Sequence, residues 1–191
     1  MRMQRPLALI SALLLTSGAC LAQDDSAAAE DSGAADERRQ DIDSRSQETL
    51  EKLFNVQPAA RALFDSASGY AAFTATKAGF IVTGGGGTGV AVDKSSGRST
   101  YMRMGTGGIG LGIGAQRYDL VILFETPAHL DRFIRGGWDA STTAQAAAGK
   151  EGITFTSSFI DGVAFFQLTD RGLMAQADIS GTRFWTVDDL N

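Results

Sequence analysis

Residues 105–115, GTGGIGLGIGA, contain a literal G-x-G-x-x-G, the spacing of the phosphate-cradling turn in dinucleotide-binding proteins. That turn must follow a strand and open a helix, because the pyrophosphate binds at the helix N-terminus. Here Leu-Gly-Ile-Gly follows Gly110, and such a glycine-rich run is a poor helix. A second literal match at residues 84–89 is also followed by residues typical of a strand. Both matches therefore predict strands, and we expect neither a nucleotide nor any other cofactor.

Glycine occupies every second position over residues 108–114, with Ile109, Leu111 and Ile113 between the glycines. In a strand this alternation leaves one face without side chains, so that another group can approach the backbone closely. A packed helix, tight barrel-like curvature and an apolar ligand such as an acyl chain all fit that face.

Few residues offer catalytic chemistry. His129 is the only histidine and Cys20 is the only cysteine, and Cys20 precedes the part expected to fold. A histidine-rich metal site and a cysteine nucleophile are thereby excluded from the folded part. We predict that the protein is not an enzyme and holds no metal. A Ser–Lys or two-carboxylate hydrolase stays open as the alternative, because such pairing in space leaves no signature here.

Residues 1–22 have the pattern of a secretory signal peptide. Arg2 and Arg5 precede an apolar run at 7–16, which is too short to span a bilayer, and SGACLA supplies small residues for cleavage. The sequence therefore predicts export from a bacterium. Cleavage before Gln23 would give a periplasmic protein, whereas lipidation of Cys20 would anchor the protein to a membrane.

Acidic side chains are concentrated ahead of the folded part. Residues 23–65 carry 11 acidic and 5 basic side chains, whereas residues 66–191 carry 11 and 10. Residues 23–40, rich in Ala, Ser and acids, are predicted to be a disordered acidic linker. Because a nucleic-acid-binding domain is normally basic, no nucleic acid is expected as a partner.

The folded part is predicted to be a single domain over residues 41–191. Apolar residues at helical spacing predict a helical lead-in over 41–66. Short strands separated by turns predict a β-rich core over 69–187. The fold class is therefore α+β, with a glycine-rich curved antiparallel sheet or a barrel-like core.

One central helix is predicted within that core, over residues 126–137. Thr126 is placed to cap it, Pro127 occupies its first position and Gly136 ends it. Leu130 and Phe133 belong to its apolar stripe.

Three sequence blocks resemble the signature of the SYLF domain family. They are KAGFIVTGGGGTGV at 77–90, GIGLGIGAQRYDLVILF at 108–124 and DRGLMAQADISGT at 170–182. The chain departs from the family in having Thr74 where a proline is common, and in lacking the SH3 domain of several eukaryotic members. That family includes eukaryotic proteins that bind phosphoinositides and actin, and exported bacterial proteins. The resemblance covers residues 60–187 and implies lipid binding, although export would remove cytoplasmic actin and phosphoinositides from reach.

Basic residues near these blocks are the predicted contacts for an anionic lipid. Arg132 and Arg135 lie three residues apart on the predicted helix, so they share a face and could hold a lipid phosphate between them. Pairing with Asp131, Asp139 or helix-end carbonyls is the alternative. The full candidate set is Lys77, Phe80, Arg103, Arg117, Arg132 and Arg135.

Aromatic side chains have two interpretations. They either contact acyl chains or belong to the core, and the core is the expected role for Phe80, Phe159, Phe165, Phe166 and Trp185.

The predicted function is non-catalytic binding of anionic, phosphoinositide-type phospholipid at a membrane surface, by the domain of an exported envelope protein. The alternative is a structural or protein–protein interaction module of the envelope, with another envelope protein as its partner and no small ligand.

Overall fold

The computed structural model describes residues 22–79, 82–109, 114–136, 158–169, 172–173 and 182–191. The chain divides into two compact units, Met1–Ala34 and Ala35–Asn191, and the second contains every described strand. Among the described helices, none combines the length and apolar character that crossing a membrane requires.

The described part of the chain forms three helices, seven strands and a short 3-10 turn. Along the chain these are α1 (Ala22–Val56), α2 (Ala59–Ser66), β1 (Gly69–Gly79), β2 (Val82–Asp93), β3 (Ser99–Ile109), β4 (Gly114–Phe124), α3 (Pro127–Ile134), β5 (Val163–Thr169), β6 (Gly172–Leu173), β7 (Thr182–Thr186) and the turn Asp188–Leu190. The strands form one antiparallel sheet in the order β6-β5-β4-β1-β2-β3-β7. The described sheet is curved. It is also open, since β6 and β7 at its two edges do not pair with each other. The predicted α+β class with a curved antiparallel sheet is confirmed.

Helices cover both sides of the sheet. On one side, here the α3 side, Leu130 and Phe133 of α3 pack on alternate strand residues such as Phe73 and Leu120. On the other side, here the α1 side, α1 and α2 pack on the strand residues that point away from α3. The contacts are made by residues such as Leu53 of α1 and Ala60 of α2, and the strand residues include Val90, Tyr101, Val121, Leu123 and Phe166. Because side chains alternate along a strand, the continuous apolar run of β4 is buried on both sides.

Helix α1 begins far ahead of the predicted lead-in. The prediction of a disordered linker over 23–40 differs from the structure, in which this segment is helical. Alanine, glutamate, glutamine and arginine are strong helix formers, so a segment with little to bury can still be helical. Its last part is also held by distant residues. Arg39 Nε donates to the Leu190 carbonyl at 3.0 Å, and Arg38 pairs with Asp189 at 2.8 Å.

The central helix has the predicted caps. Thr126 Oγ1 accepts a hydrogen bond from the His129 backbone N–H, and Pro127 occupies the first turn. Gly136, with φ of +70°, follows the last turn, although the helix itself ends at Ile134 rather than at 137. Local capping signals were therefore sufficient to place this helix.

The glycine motifs lie in strands. Gly105 and Gly107 belong to β3, the match at 84–89 lies within β2, and neither segment opens a helix there. Most of the alternation over 108–114 lies outside the described residues. The predicted close approach is visible in β2 instead, where a Cβ atom added at Gly87 would lie 2.7 Å from Ala75 Cβ on β1. Glycine in β2 therefore lets this strand curve and approach β1 closely.

Candidate functional site: the arginine groove

Two rows of facing residues cross the α1 side of the sheet. One row runs through Asp119, Thr74, Thr88, Arg103 and Trp185 on β4, β1, β2, β3 and β7. The next runs through Arg117, Thr76, Gly86, Gly105 and Arg183 on the same strands. Directly opposed residues point to the same side of a sheet, so both rows face the side on which α1 packs.

These rows form an open groove of about 530 Å³, named here the arginine groove. Its lining includes Arg45, Thr74, Thr76, Gly86, Thr88, Arg103, Gly105, Arg117 and Trp185. Ligand sites in proteins are commonly of this size. Glycine and threonine form much of the floor, so the groove is shallow and its polar groups are accessible.

Arginines from three elements project around the groove. Arg103 comes from β3, Arg117 from β4 and Arg45 from α1. Arg103 and Arg117 are exposed, and neither forms an ion pair with another described residue. Arg45 Nε pairs with Asp41 one helical turn earlier, at 3.1 Å. The groove therefore presents guanidinium donors suited to phosphate or carboxylate oxygens.

The acid closest to these arginines in the sheet is already paired. Asp119 lies two residues after Arg117 on the same side of β4. Its carboxylate accepts hydrogen bonds from Lys52 Nζ at 2.9 Å and from Thr74 Oγ1 at 3.1 Å. A smaller cavity of about 380 Å³ opens at this point, between α1 and the sheet. Because Lys52 balances the charge of Asp119, that acid does little to cancel the charge of Arg117.

Trp185 forms the wall at the other end. Its side chain is 46% exposed, so the expected core role is wrong for this residue. It alternates with Phe184, which packs on the α3 side. A Cβ atom added at Gly105 would lie 3.0 Å from Trp185 Cη2, so the indole lies over a position that carries no side chain.

Comparison with known proteins gives a family match that includes Gly105, Arg117 and Trp185 of the groove. A family model described as "Ysc84: Las17-binding protein actin regulator" matches residues 105–191. Beta cell expansion factor A of Aeromonas veronii is 40% identical over 154 residues, which are 81% of this chain and 59% of that protein. The chain belongs to the SYLF domain family. It spans about 59% of the length of the curated relative it matches. Domains of this family are of a lipid-binding or actin-regulator type.

The SYLF domain brings only part of the predicted site together. Arg103 and Arg117 lie in one groove, whereas Lys77 faces the α3 side with Ala75. Arg132 is on α3 and Arg135 directly follows it, both across the sheet from the groove. Both are exposed, and neither pairs with Asp131 or any other described residue. Asp139, Phe80 and Cys20 lie outside the described residues.

Other candidate residues of the SYLF domain have structural roles. Phe165 and Phe166 are buried in the core, as expected, and Phe159 is half-buried against it. His129 Nδ1 lies 2.8 Å from Thr126 Oγ1, and its imidazole contacts the backbone at Gly162. Within the described ranges, no group of three His, Cys, Asp or Glu side chains is arranged to hold a metal ion.

Arg45 is the functional candidate that the sequence did not indicate. It precedes the family-like blocks by more than thirty residues along the chain. The available signal was its spacing from Lys52, since residues seven apart share one face of a helix. That spacing predicts a shared face but not which strands the face covers.

Proposed function

We propose that this SYLF domain binds anionic phospholipid headgroups in the arginine groove without catalysing any change in them. The supporting observation is the convergence of Arg45, Arg103 and Arg117, from three separate elements, on one accessible groove. Guanidinium groups donate two parallel hydrogen bonds to a phosphate, which makes them suited to this headgroup. A phosphoinositide-type headgroup, with several phosphates, would engage more than one of these arginines.

The charge distribution favours short-range binding. Residues 66–191 carry one more acid than base, so the folded core exerts little long-range attraction on an anionic membrane. Binding then depends on local contacts, each worth about 1 kcal/mol per basic residue near the surface. Screening at physiological salt already acts within about 8 Å, so binding should weaken as salt rises.

The proposed location is the bacterial envelope, after export directed by residues 1–22. Replacing Cys20 by alanine distinguishes the two proposed forms. A lipidated protein would move from the membrane fraction to the soluble periplasmic fraction. Unchanged partitioning, with Gln23 at the mature N-terminus, would show that Cys20 is not the anchor.

The lipid proposal is tested by co-sedimentation of the purified protein with vesicles of phosphatidylglycerol, using phosphatidylcholine vesicles as the uncharged comparison. Replacing Arg103 and Arg117 together with glutamine should weaken binding by about 30-fold, the equivalent of two contacts of ~1 kcal/mol. Replacing Arg132 and Arg135 with glutamine removes the same charge from the α3 side and should have little effect.

Each outcome of this comparison decides between the sites. If only the Arg132/Arg135 variant loses binding, the helix holds the lipid and the groove does not. If the unaltered protein stays in the supernatant with phosphatidylglycerol vesicles at low salt, the lipid proposal is wrong. The protein-partner alternative would then take its place.

A further inference from the structure

At one end of the arginine groove, an exposed aromatic ring, that of Trp185, lies beside an arginine. Val56 and Trp185 are the large hydrophobic residues that stand exposed among the described side chains, and only Trp185 lines the groove. Arg103 lies directly opposite Trp185 on the neighbouring strand. A phosphate alone gains nothing from an indole, whereas a ring with an apolar face can stack on it. An anionic group attached to such a ring would meet Arg103.

Gly105 leaves room for the Trp185 indole, because it has no side chain below the ring. The benzo end of Trp185 lies over this glycine, 3.0 and 3.3 Å from the position a Cβ would take, which is tighter than an ordinary van der Waals contact. Any larger residue at 105 would have to displace the ring. The platform is therefore built by two residues on adjacent strands rather than by one exposed side chain.

Hydroxyl groups lie between the arginines. Thr88 lies in the first row and Thr76 in the second, as diagonal neighbours on β2 and β1, and Thr76 is exposed. A threonine hydroxyl both donates and accepts hydrogen bonds, which suits a ligand that carries hydroxyl groups of its own. The Thr74 hydroxyl already donates a hydrogen bond to Asp119.

The length of the groove suits a ligand longer than one ring. Arg117 on β4 and Trp185 on β7 lie at opposite ends of the groove, separated by four strand-to-strand spacings. At about 4.8 Å per spacing this is roughly 19 Å along the sheet. Arg117 at one end and Arg103 beside Trp185 at the other, with a side-chain-free centre at Gly86 and Gly105, match an extended anion with more than one charged unit.

We infer that the arginine groove recognises an acidic sugar, a ring that bears a carboxylate or phosphate and belongs to a short oligosaccharide. One ring stacks on Trp185 with its anionic group on Arg103, and a following acidic unit reaches Arg117 and Arg45. The ligand is either a free acidic oligosaccharide or the sugar headgroup of a glycolipid, since both present the same chemistry. This inference rests on the proposed function for the position of the anion and adds the ring to it.

The direct test is calorimetric titration of the full chain with a trimer of galacturonic acid, a neutral trimer of galactose and inorganic phosphate. The acidic trimer should bind, and the neutral trimer and phosphate should each bind at least about tenfold more weakly, because each lacks either the anion or the ring. Equal binding of phosphate and the acidic trimer would show that the ring contributes nothing.

Variants of the platform separate this inference from the lipid proposal. Trp185→Leu should weaken binding of the acidic trimer about tenfold and co-sedimentation with phosphatidylglycerol vesicles by much less, because the glycerol phosphate headgroup has no ring to stack on the indole. Gly105→Val, which displaces the indole but leaves Trp185 and every arginine in the chain, should weaken trimer binding to a similar extent. Circular dichroism checks that both variants fold, and Arg132→Gln is the matched surface control.

The possible outcomes are distinct. Absent binding of the acidic trimer, or unchanged binding by both platform variants, would overturn the sugar inference even if vesicle binding persists. Binding of the trimer without vesicle binding would support the inference and refute the lipid proposal. Vesicles of phosphatidylglycerol with and without lipid A, a phosphorylated disaccharide lipid, then separate the two sources. Stronger binding with lipid A supports the glycolipid source, and no change supports a free oligosaccharide.

Discussion

Lys52 of α1 and Asp119 of β4 form an ion pair of 2.9 Å beside the arginine groove. The Asp119 side chain is only 15% exposed, and that of Lys52 is 34% exposed. Thr74 Oγ1 donates to the second carboxylate oxygen at 3.1 Å. This contact links the helix to the sheet, and Lys52 keeps the charge of Asp119 balanced next to Arg117.

Replacing Asp119 with asparagine should therefore have two opposite effects. Loss of the partly buried ion pair should lower the free energy of unfolding by about 1–2 kcal/mol, since Lys52 can still reach water. Binding to phosphatidylglycerol vesicles should rise severalfold, since the groove gains one unit of positive charge. Urea unfolding and co-sedimentation measure the two effects. Asp65→Asn on α2 makes the same charge change away from the groove, and equal affinity of the two variants would contradict the argument.

Helices show what local sequence can and cannot predict. The caps of α3 are local, so Thr126, Pro127 and Gly136 were enough to place it. The length of α1 could not be predicted from composition, because an alanine-rich acidic segment is compatible with both disorder and helix. Contacts such as Arg39 to the Leu190 carbonyl join residues 151 positions apart, and no local pattern encodes them.

The sequence likewise indicated some residues of the arginine groove but not which of them lie together. Proximity to the family-like blocks indicated Arg103 and Arg117, but also Lys77, Arg132 and Arg135. Which of them share a side depends on strand pairing, and β1 lies between β4 and β2 rather than at the start of the sheet. That order places Arg117 beside Thr76 and in the same row as Gly105. Arg45 joins the groove only because α1 crosses this side.

Gly162 is expected to be intolerant of a side chain because of His129. Its φ is +77°, and a Cβ atom there would overlap the imidazole ring. Gly162→Ala should lower the free energy of unfolding by about 2–4 kcal/mol, from the strained backbone and the overlap together. Gly97, with φ of +69° and no atom near its Cβ position, is the control. Gly97→Ala should cost only about 1 kcal/mol, for the backbone alone.

A double variant isolates the contact with His129. Adding His129→Ala to Gly162→Ala should restore part of the lost stability, because the overlapping ring is gone. If thermal unfolding shows no such recovery, then the cost at Gly162 arises from the backbone and the contact is irrelevant.

The glycines of β2 should differ sharply according to which way they face. At Gly87 an added Cβ would lie 2.7 Å from Ala75 Cβ and close to the β1 backbone, whereas at Gly84 it would meet nothing within 4 Å. Gly87→Ala should therefore destabilise the domain by about 1–3 kcal/mol through overpacking. Gly84→Ala should be neutral or slightly stabilising, because it reduces the freedom of the unfolded chain. Chemical denaturation of both variants is the measurement, and similar midpoints would disprove the close approach of β1 and β2.

Tyr101 should make the stability of the domain depend on alkaline pH. Its hydroxyl donates to Asp43 Oδ2 at 3.0 Å, and burial, followed by this hydrogen bond to a carboxylate, raises the pKa of Tyr101 to about 12. An unfolded tyrosine has a pKa of about 10, so the folded state binds the proton more tightly. The stabilising contribution is therefore complete below pH 10 and disappears as the pH rises from about 10 to about 12.

Tyr101→Phe removes both the hydrogen bond and the titration. At pH 7 it should lower the free energy of unfolding by about 1 kcal/mol, for one lost hydrogen bond. Between pH 10 and 12 the unaltered protein should lose stability faster than the variant, by about 1.4 kcal/mol for each unit of pKa difference, so that its urea midpoint falls to and then below that of the variant. Other alkaline titrations, including those of the lysines, occur in both proteins and cancel in the difference. Midpoints that stay parallel across this range would show that the Tyr101 hydroxyl is not held as its contact with Asp43 implies.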